Sequence, residues 1–95
     1  MAQPQINIAP RQFSPNLSIT LTVTPATGMD FSAVQSNGVA MIPSDGIQQV
    51  QAIPQSNGDL RVDFTTVGAQ FGIRTLVIIG PDNLVLASGV VRVAP

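Results

Sequence analysis

Lysine, glutamate, histidine, cysteine, tryptophan and tyrosine are all missing from this 95-residue chain. Without His, Cys, Lys, Glu or Tyr, nearly every usual general base, soft metal ligand and activated nucleophile is missing as well, so an enzyme is not expected. The lack of cysteine excludes a disulfide framework and a thiolate zinc site, and makes folding independent of redox compartment. Without Trp or Tyr there is little platform for stacking on sugar rings. Charge is scarce too: four Arg and five Asp make up 9% of the residues, with a net charge of −1. No basic stripe exists to displace counterions from phosphates, so a nucleic-acid partner is not expected. The purely apolar runs, Val39 to Ile42, Leu76 to Ile79 and Leu84 to Ala87, fall far short of the ~20 residues of a membrane-crossing helix. Aromatic girdles of the kind membrane barrels carry are lacking, and a membrane partner is not expected despite a mean hydropathy of +0.33. Pro4, Pro10 and Pro15 break up the opening residues before any continuous apolar core of a signal peptide forms, so no secretory signal is expected.

What the chain does contain is Val (11), Ile (9) and Thr (7), β-branched residues suited to a pleated, half-buried surface, while the strong helix formers Lys and Glu are absent. The composition predicts an all-β protein, and the length allows one domain with a modest core. Leu17, Ile19, Leu21 and Val23 alternate with Ser18, Thr20, Thr22 and Thr24, the signature of a strand with one buried face. Met29, Phe31 and Ala33 predict a further short strand. Asn37-Gly38, Asp45-Gly46 and Asn57-Gly58 are dipeptides of the type I′ hairpin turn, and they delimit strands near Val39 to Ile42, Ile47 to Ile53 and Leu60 to Thr65. Ile47 and Ile53 share one parity and Val50 and Ala52 the other, which calls for a β-bulge or a switch between sheets. Ile73 to Ile79, a turn at Gly80 to Asn83, and Leu84 to Ala87 with Val90 to Val93 complete the pattern, with a bulge expected at Gly89. The repeat of Gln35-Ser36-Asn37-Gly38 as Gln55-Ser56-Asn57-Gly58 has unmatched flanks and reads as repeated turn chemistry. Seven or eight short strands in this length predict an antiparallel β-sandwich. Leu17, Ile19, Leu21 and Val23 are expected to share its core with Val62, Phe64, Leu76 and Ile78.

The segments Ala69-Gln70-Phe71-Gly72-Ile73-Arg74-Thr75-Leu76-Val77-Ile78, Asn83-Leu84-Val85 and Gly89-Val90-Val91-Arg92-Val93 resemble the end of bacterial and phage immunoglobulin-like domains of the IPT/TIG or bacterial Ig-like type. Ile6-Asn7-Ile8-Ala9-Pro10 is similar to the first strand and proline of such domains. The resemblance implies an Ig-like sandwich. Arg74 departs from it, standing where many relatives carry the tyrosine of a corner motif. No ligand residues carry over, because these domains share a scaffold rather than a site.

Residues 1–16 read as an extended N-terminal arm or first edge strand and residues 17–95 as the sandwich proper. Ile6, Ile8, Arg11 and Phe13 on that arm are the candidate partner-binding residues, because apolar side chains held extended by prolines need burial, and a neighbouring molecule can supply it. Residues 1–12 are accordingly expected to be dispensable for folding and required for assembly. Asp45, Asp59 and Asp82 lie in turn signals where Asp bonds backbone, and no Asp-x-Asp-x-Asp run exists, so no metal, cofactor or catalytic residue is expected. The Gln-, Asn-, Ser- and Thr-rich exterior costs little to desolvate and suits a permanent contact. The chain opens on Met, is expected to carry no leader, and stops after its last expected strand. That fits a complete phage capsid decoration (cement) protein on the virion exterior, with capsid subunits as partners or copies of itself in a homo-oligomer. The alternative is an Ig-like spacer or adhesion domain of a secreted bacterial surface protein or enzyme, with an extracellular or cell-surface setting.

Overall fold

Residues 6–95 are described by the computed structural model. Eight strands and no helix are found among them: β1 (Asn7–Ala9), β2 (Gln12–Phe13), β3 (Ser18–Thr24), β4 (Val39–Ile42), β5 (Gln48–Pro54), β6 (Leu60–Thr65), β7 (Gly72–Ile79) and β8 (Val85–Val93). They form two four-stranded sheets, ordered β1-β3-β6-β5 and β2-β8-β7-β4. The protein is therefore an all-β sandwich, as its composition predicts.

The alternating strands face one another in register across the first sheet, with Leu21 opposite Val62 and Val23 opposite Leu60. All four side chains are buried, as are Phe64, Met41, Leu76, Ile78, Val91 and Val93. Period-2 sequence thus becomes a two-layer core. Phe13 and Phe64 meet across the layers edge to face, with ring centroids 5.1 Å apart and an interplanar angle of 67°. Phe64→Ala is expected to cost about 3 to 5 kcal/mol in urea unfolding. A double-mutant cycle with Phe13→Ala should return a coupling of about 0.5 to 1.5 kcal/mol from the ring pair; additive losses would show that the rings do not support each other.

Several local expectations are corrected by tertiary context. Leu17 is not in the core: the strand begins at Ser18, Asn16 turns the chain with a φ of 63°, and Leu17 is left 51% exposed. Residues 29–33 form no strand. The Asp30 carboxylate instead accepts the Ser32 N–H at 2.8 Å and curls the segment, so Phe31 and Val34 plug the core from a loop. Of the three turn dipeptides only Asn57-Gly58 joins paired neighbours, β5 and β6. Its turn is not type I′, because Gly58 has a positive φ of 97° and Asn57 does not. The Asp45-Gly46 segment carries the chain from one sheet to the other. The repeated Gln-Ser-Asn-Gly motif is turn chemistry in both copies, with Gly38 N donating to Gln35 O at 2.9 Å and Gly58 N to Gln55 O at 3.1 Å. A register shift between Gln48 and Gln51 supplies the bulge that the mixed parity of β5 requires. The bulge expected at Gly89 lies elsewhere, between the Ile78–Ala87 and Ile79–Val85 pairs. The N-terminal segment crosses the sheet close to Gly89: a Cβ there would stand 2.6 Å from Ile8 Cδ1, so the isoleucine would have to shift.

Of the two readings of the opening residues, arm or first edge strand, the described ones take the edge-strand form. β1 pairs antiparallel with β3, and β2 pairs parallel with β8, so residues 7–13 contribute a strand to each sheet.

Candidate protein-contact site

The four arm residues singled out by sequence are brought together, but three of them point inward. Ile6, Ile8 and Phe13 are buried in this chain's own core: β1 and β2 occupy the edges beside β3 and β8, the Ile6 and Ile8 side chains end above Gly89, and Phe13 packs on Phe64. Their burial is satisfied at home, which removes the physical reason for seeking it on a neighbour. Only Arg11 keeps its side chain outside, with Nη2 3.4 Å from the Ile6 carbonyl. Its own carbonyl accepts the Arg92 N–H at 2.7 Å, and that of Phe13 accepts the Ala94 N–H at 2.9 Å.

At the opposite end of the sandwich from the start of β1, Arg74 takes an inward position on β7 and is 3% exposed. Its Nη1 donates to the carbonyls of Pro43 at 2.7 Å and Asp45 at 2.9 Å and lies 3.2 Å from Asp45 Oδ1. Its Nη2 donates to the Gln70 carbonyl at 3.0 Å. The planar fork therefore ties the β4–β5 crossing to the β6–β7 loop, a geometry that Lys could not reproduce. Asp45 remains 59% exposed in its side chain and completes the ion pair from the rim.

Because Gln70 is pinned by its carbonyl and Ala69 is buried, the next residue, Phe71, is held outward and 63% exposed. Beside it, Thr66 is buried, and its Oγ1 accepts the Leu17 N–H at 3.1 Å and donates to the Ser14 carbonyl at 3.0 Å. Gly68 N donates to Asn16 Oδ1 at 3.0 Å. The β2–β3 and β6–β7 loops are thus stapled together. Between them lies an open groove of about 360 Å³, lined by Pro15, Asn16, Gly68, Ala69, Gln70 and Phe71, and Leu17 and Val67 are exposed on the same two loops. Sequence reasoning missed this patch. The signal was a Phe beside glycines in a loop, where nothing local demands a large apolar side chain.

The outer sheet faces differ sharply. On the first sheet Thr20, Asp63 and Gln51 stand in one row, and the Asp63 carboxylate accepts from Thr20 Oγ1 at 2.8 Å and from Arg61 Nε at 3.0 Å. Burial pushes the Asp63 carboxyl up, but the Arg61 and Thr20 hydrogen bonds and the Arg61 charge together hold it below its ordinary value. On the second sheet the outward rows read Ile42–Thr75–Val90 and Ala40–Val77–Ser88, with Ile73 beside Arg92 at the β2 side. A smaller polar pocket of about 140 Å³ lies between Gln35, Asn37, Gly80 and Asn83. Among the described residues no group of three His, Cys, Asp or Glu side chains could hold a metal ion. Comparison with family models, with curated proteins and with solved structures finds no match to this chain.

Proposed function

We propose that this chain is a non-enzymatic, Ig-like structural module that binds other proteins, acting as a decoration protein on a phage capsid. The strand orders support the Ig-like reading: β1-β3-β6-β5 follows the A-B-E-D order of that fold, and β8-β7-β4 follows G-F-C with β2 added at the edge. Arg74 occupies the corner position on the equivalent of strand F and bonds the carbonyl four residues upstream, the service a corner tyrosine renders. The observation that carries the functional reading is the groove walled by Phe71 between two stapled loops, with Leu17 and Val67 also exposed on those loops. Large side chains held half or more in water on a nearly uncharged protein mark a contact surface. The expected partner contact therefore moves from the buried arm residues to this end of the sandwich.

A second reading is favoured by one observation. β1 starts opposite the end of β3 and β8 ends opposite the start of β7, so the two ends of the described chain lie at opposite ends of the sandwich, as a spacer domain in a tandem array requires. Two measurements separate the readings. The reading frame should lie among virion structural genes, and the protein should co-sediment saturably with shells assembled from the neighbouring coat gene. Phe71→Asp, at an exposed position, should abolish that co-sedimentation while leaving the circular dichroism spectrum unchanged. A folded wild-type chain that does not pellet with the shells would overturn the decoration reading, and a reading frame continuing into further domains would establish the spacer.

A further inference from the structure

Asn37-Gly38 and Asn57-Gly58 share more than their turn chemistry. An asparagine amide followed by glycine can react with its own backbone, because glycine lets the peptide nitrogen approach the amide carbon without a side chain in the way. What holds each dipeptide decides whether it does, and the two copies are held differently. Gly38 is buried, its N–H donates to Gln35 O at 2.9 Å, and its carbonyl accepts the Ile79 N–H at 2.7 Å. A Cβ there would stand 3.0 Å from the carbonyl oxygens of Gln35 and Ile79 and 3.1 Å from Val34 Cγ1, so its backbone has no room to turn. Gly58 is exposed, a Cβ on it would meet nothing within 4 Å, and its N–H makes a longer bond to Gln55 O at 3.1 Å.

The Asn57 side chain is also folded toward that backbone. Its Oδ1 accepts the Asp59 N–H at 3.0 Å, which draws the amide over the Gly58 peptide, and its Nδ2 donates to Asp59 Oδ2 at 3.3 Å. Attack on the amide carbon builds negative charge on Oδ1, the atom that the Asp59 N–H already faces.

We propose that Asn57 is a site of spontaneous deamidation and that packing protects Asn37. Gly58 N bonds to Asn57 Cγ, its proton passes through water to Nδ2, and the Cγ–Nδ2 bond breaks to release ammonia and leave a cyclic imide. Water then opens the imide at either carbonyl, giving aspartate or isoaspartate. One water is consumed and one ammonia released, with no change of oxidation state. Each product adds one carboxylate to a net charge of −1, making −2. Isoaspartate also lengthens the backbone inside the turn that the Gln55 N–H closes on Asp59 O at 2.8 Å, and so loosens the β5–β6 hairpin. The turn lies where Leu60 pairs with Val23, away from the Ser18–Thr65 end that carries the Phe71 groove, so deamidation and shell binding are tested separately.

The full chain is aged in warm, mildly alkaline buffer, sampled over time, and mapped by mass spectrometry of its peptides. In the folded protein Asn57 should convert at least about tenfold faster than Asn37, whose reaction must wait for local opening, and the product peptides should split chromatographically into aspartate and isoaspartate. In concentrated urea the two rates should converge, since both dipeptides are then free. Ion exchange should show a more acidic form growing in with time, and Asn57→Gln should abolish it. Equal rates at Asn37 and Asn57 in the folded protein overturn the proposal, and so does an Asn57 that stays intact while the urea-unfolded chain reacts.

Discussion

The double variant Ile6→Ala/Ile8→Ala is expected to lose about 4 to 8 kcal/mol, since each Ile→Ala change in a packed core costs about 2 to 5 kcal/mol and neighbouring losses do not add fully. Both side chains are buried under β8, and the Cδ1 atoms of both approach the space above Gly89. The surrounding strands cannot collapse into the hole, because Gly89 has no side chain to move and β1 is held in place by its ladder with β3. Domains of this size have only about 5 to 15 kcal/mol of total stability. The variant should therefore be largely unfolded at room temperature, seen as loss of the cooperative transition in circular dichroism. Truncation of residues 1–12 removes β1 and both isoleucines together and should do at least as much. A truncated chain that keeps a sharp transition near the wild-type midpoint would restore the view of these residues as a separable arm.

Arg74→Met is the second large effect, expected at about 3 to 5 kcal/mol, from the loss of three hydrogen bonds to a charged group at about 1.5 to 3 kcal/mol each, which share one side chain and do not add fully. Replacing a buried ion pair by apolar residues is often harmless because both charges leave together. Here the partners that matter are the carbonyls of Pro43, Asp45 and Gln70, which no side-chain substitution can delete. Pro43, Asp45 and Gln70 are exposed residues, so water replaces part of what their carbonyls lose, and each hydrogen bond to the charged fork contributes about 1.5 to 3 kcal/mol. Asp45→Asn should by contrast cost under about 1 kcal/mol, because its side chain is mostly in water and an exposed pair contributes little. Chemical denaturation of the two variants side by side checks this. Equal losses would mean that the ion pair, and not the backbone carbonyls, is what Arg74 serves. Arg74→Met should also free Gln70 and with it Phe71, so the shell binding proposed for this end of the sandwich should weaken even where the protein remains folded.

Where a segment's environment is set by its own periodicity, the sequence was sufficient. Leu60, Val62 and Phe64 alternate and are buried, as are Leu76 and Ile78, and the parity break in β5 is a bulge. Met29, Phe31 and Ala33 alternate equally well yet form a loop, because one Asx turn at Asp30 outweighs five residues of pattern. Asn-Gly reports a local turn and says nothing of whether the flanking strands pair, which is why only the dipeptide at Asn57 makes a hairpin. Ile6, Ile8 and Phe13 were recognisable as needing burial, but whether an apolar segment is buried at home or abroad depends on the edge offered by β3 and β8, elements up to 80 residues away. Arg74 stood out only as a departure from a resemblance. Its partners come from two loops that no spacing rule connects, and the exposed patch around Phe71 follows from how those loops are pinned.

The parallel pairing of β2 with β8 sets a schedule for the newborn chain. Gln12 and its partner Arg92 are 80 residues apart, and at about 5 to 20 residues per second of synthesis the partner is made roughly 4 to 16 s after the strand that waits for it. The isoleucines destined for the space above Gly89 spend that interval without their cover. Closing so long a loop is among the slow steps of folding, so the second sheet is completed only after Arg92 and Val93 have been made.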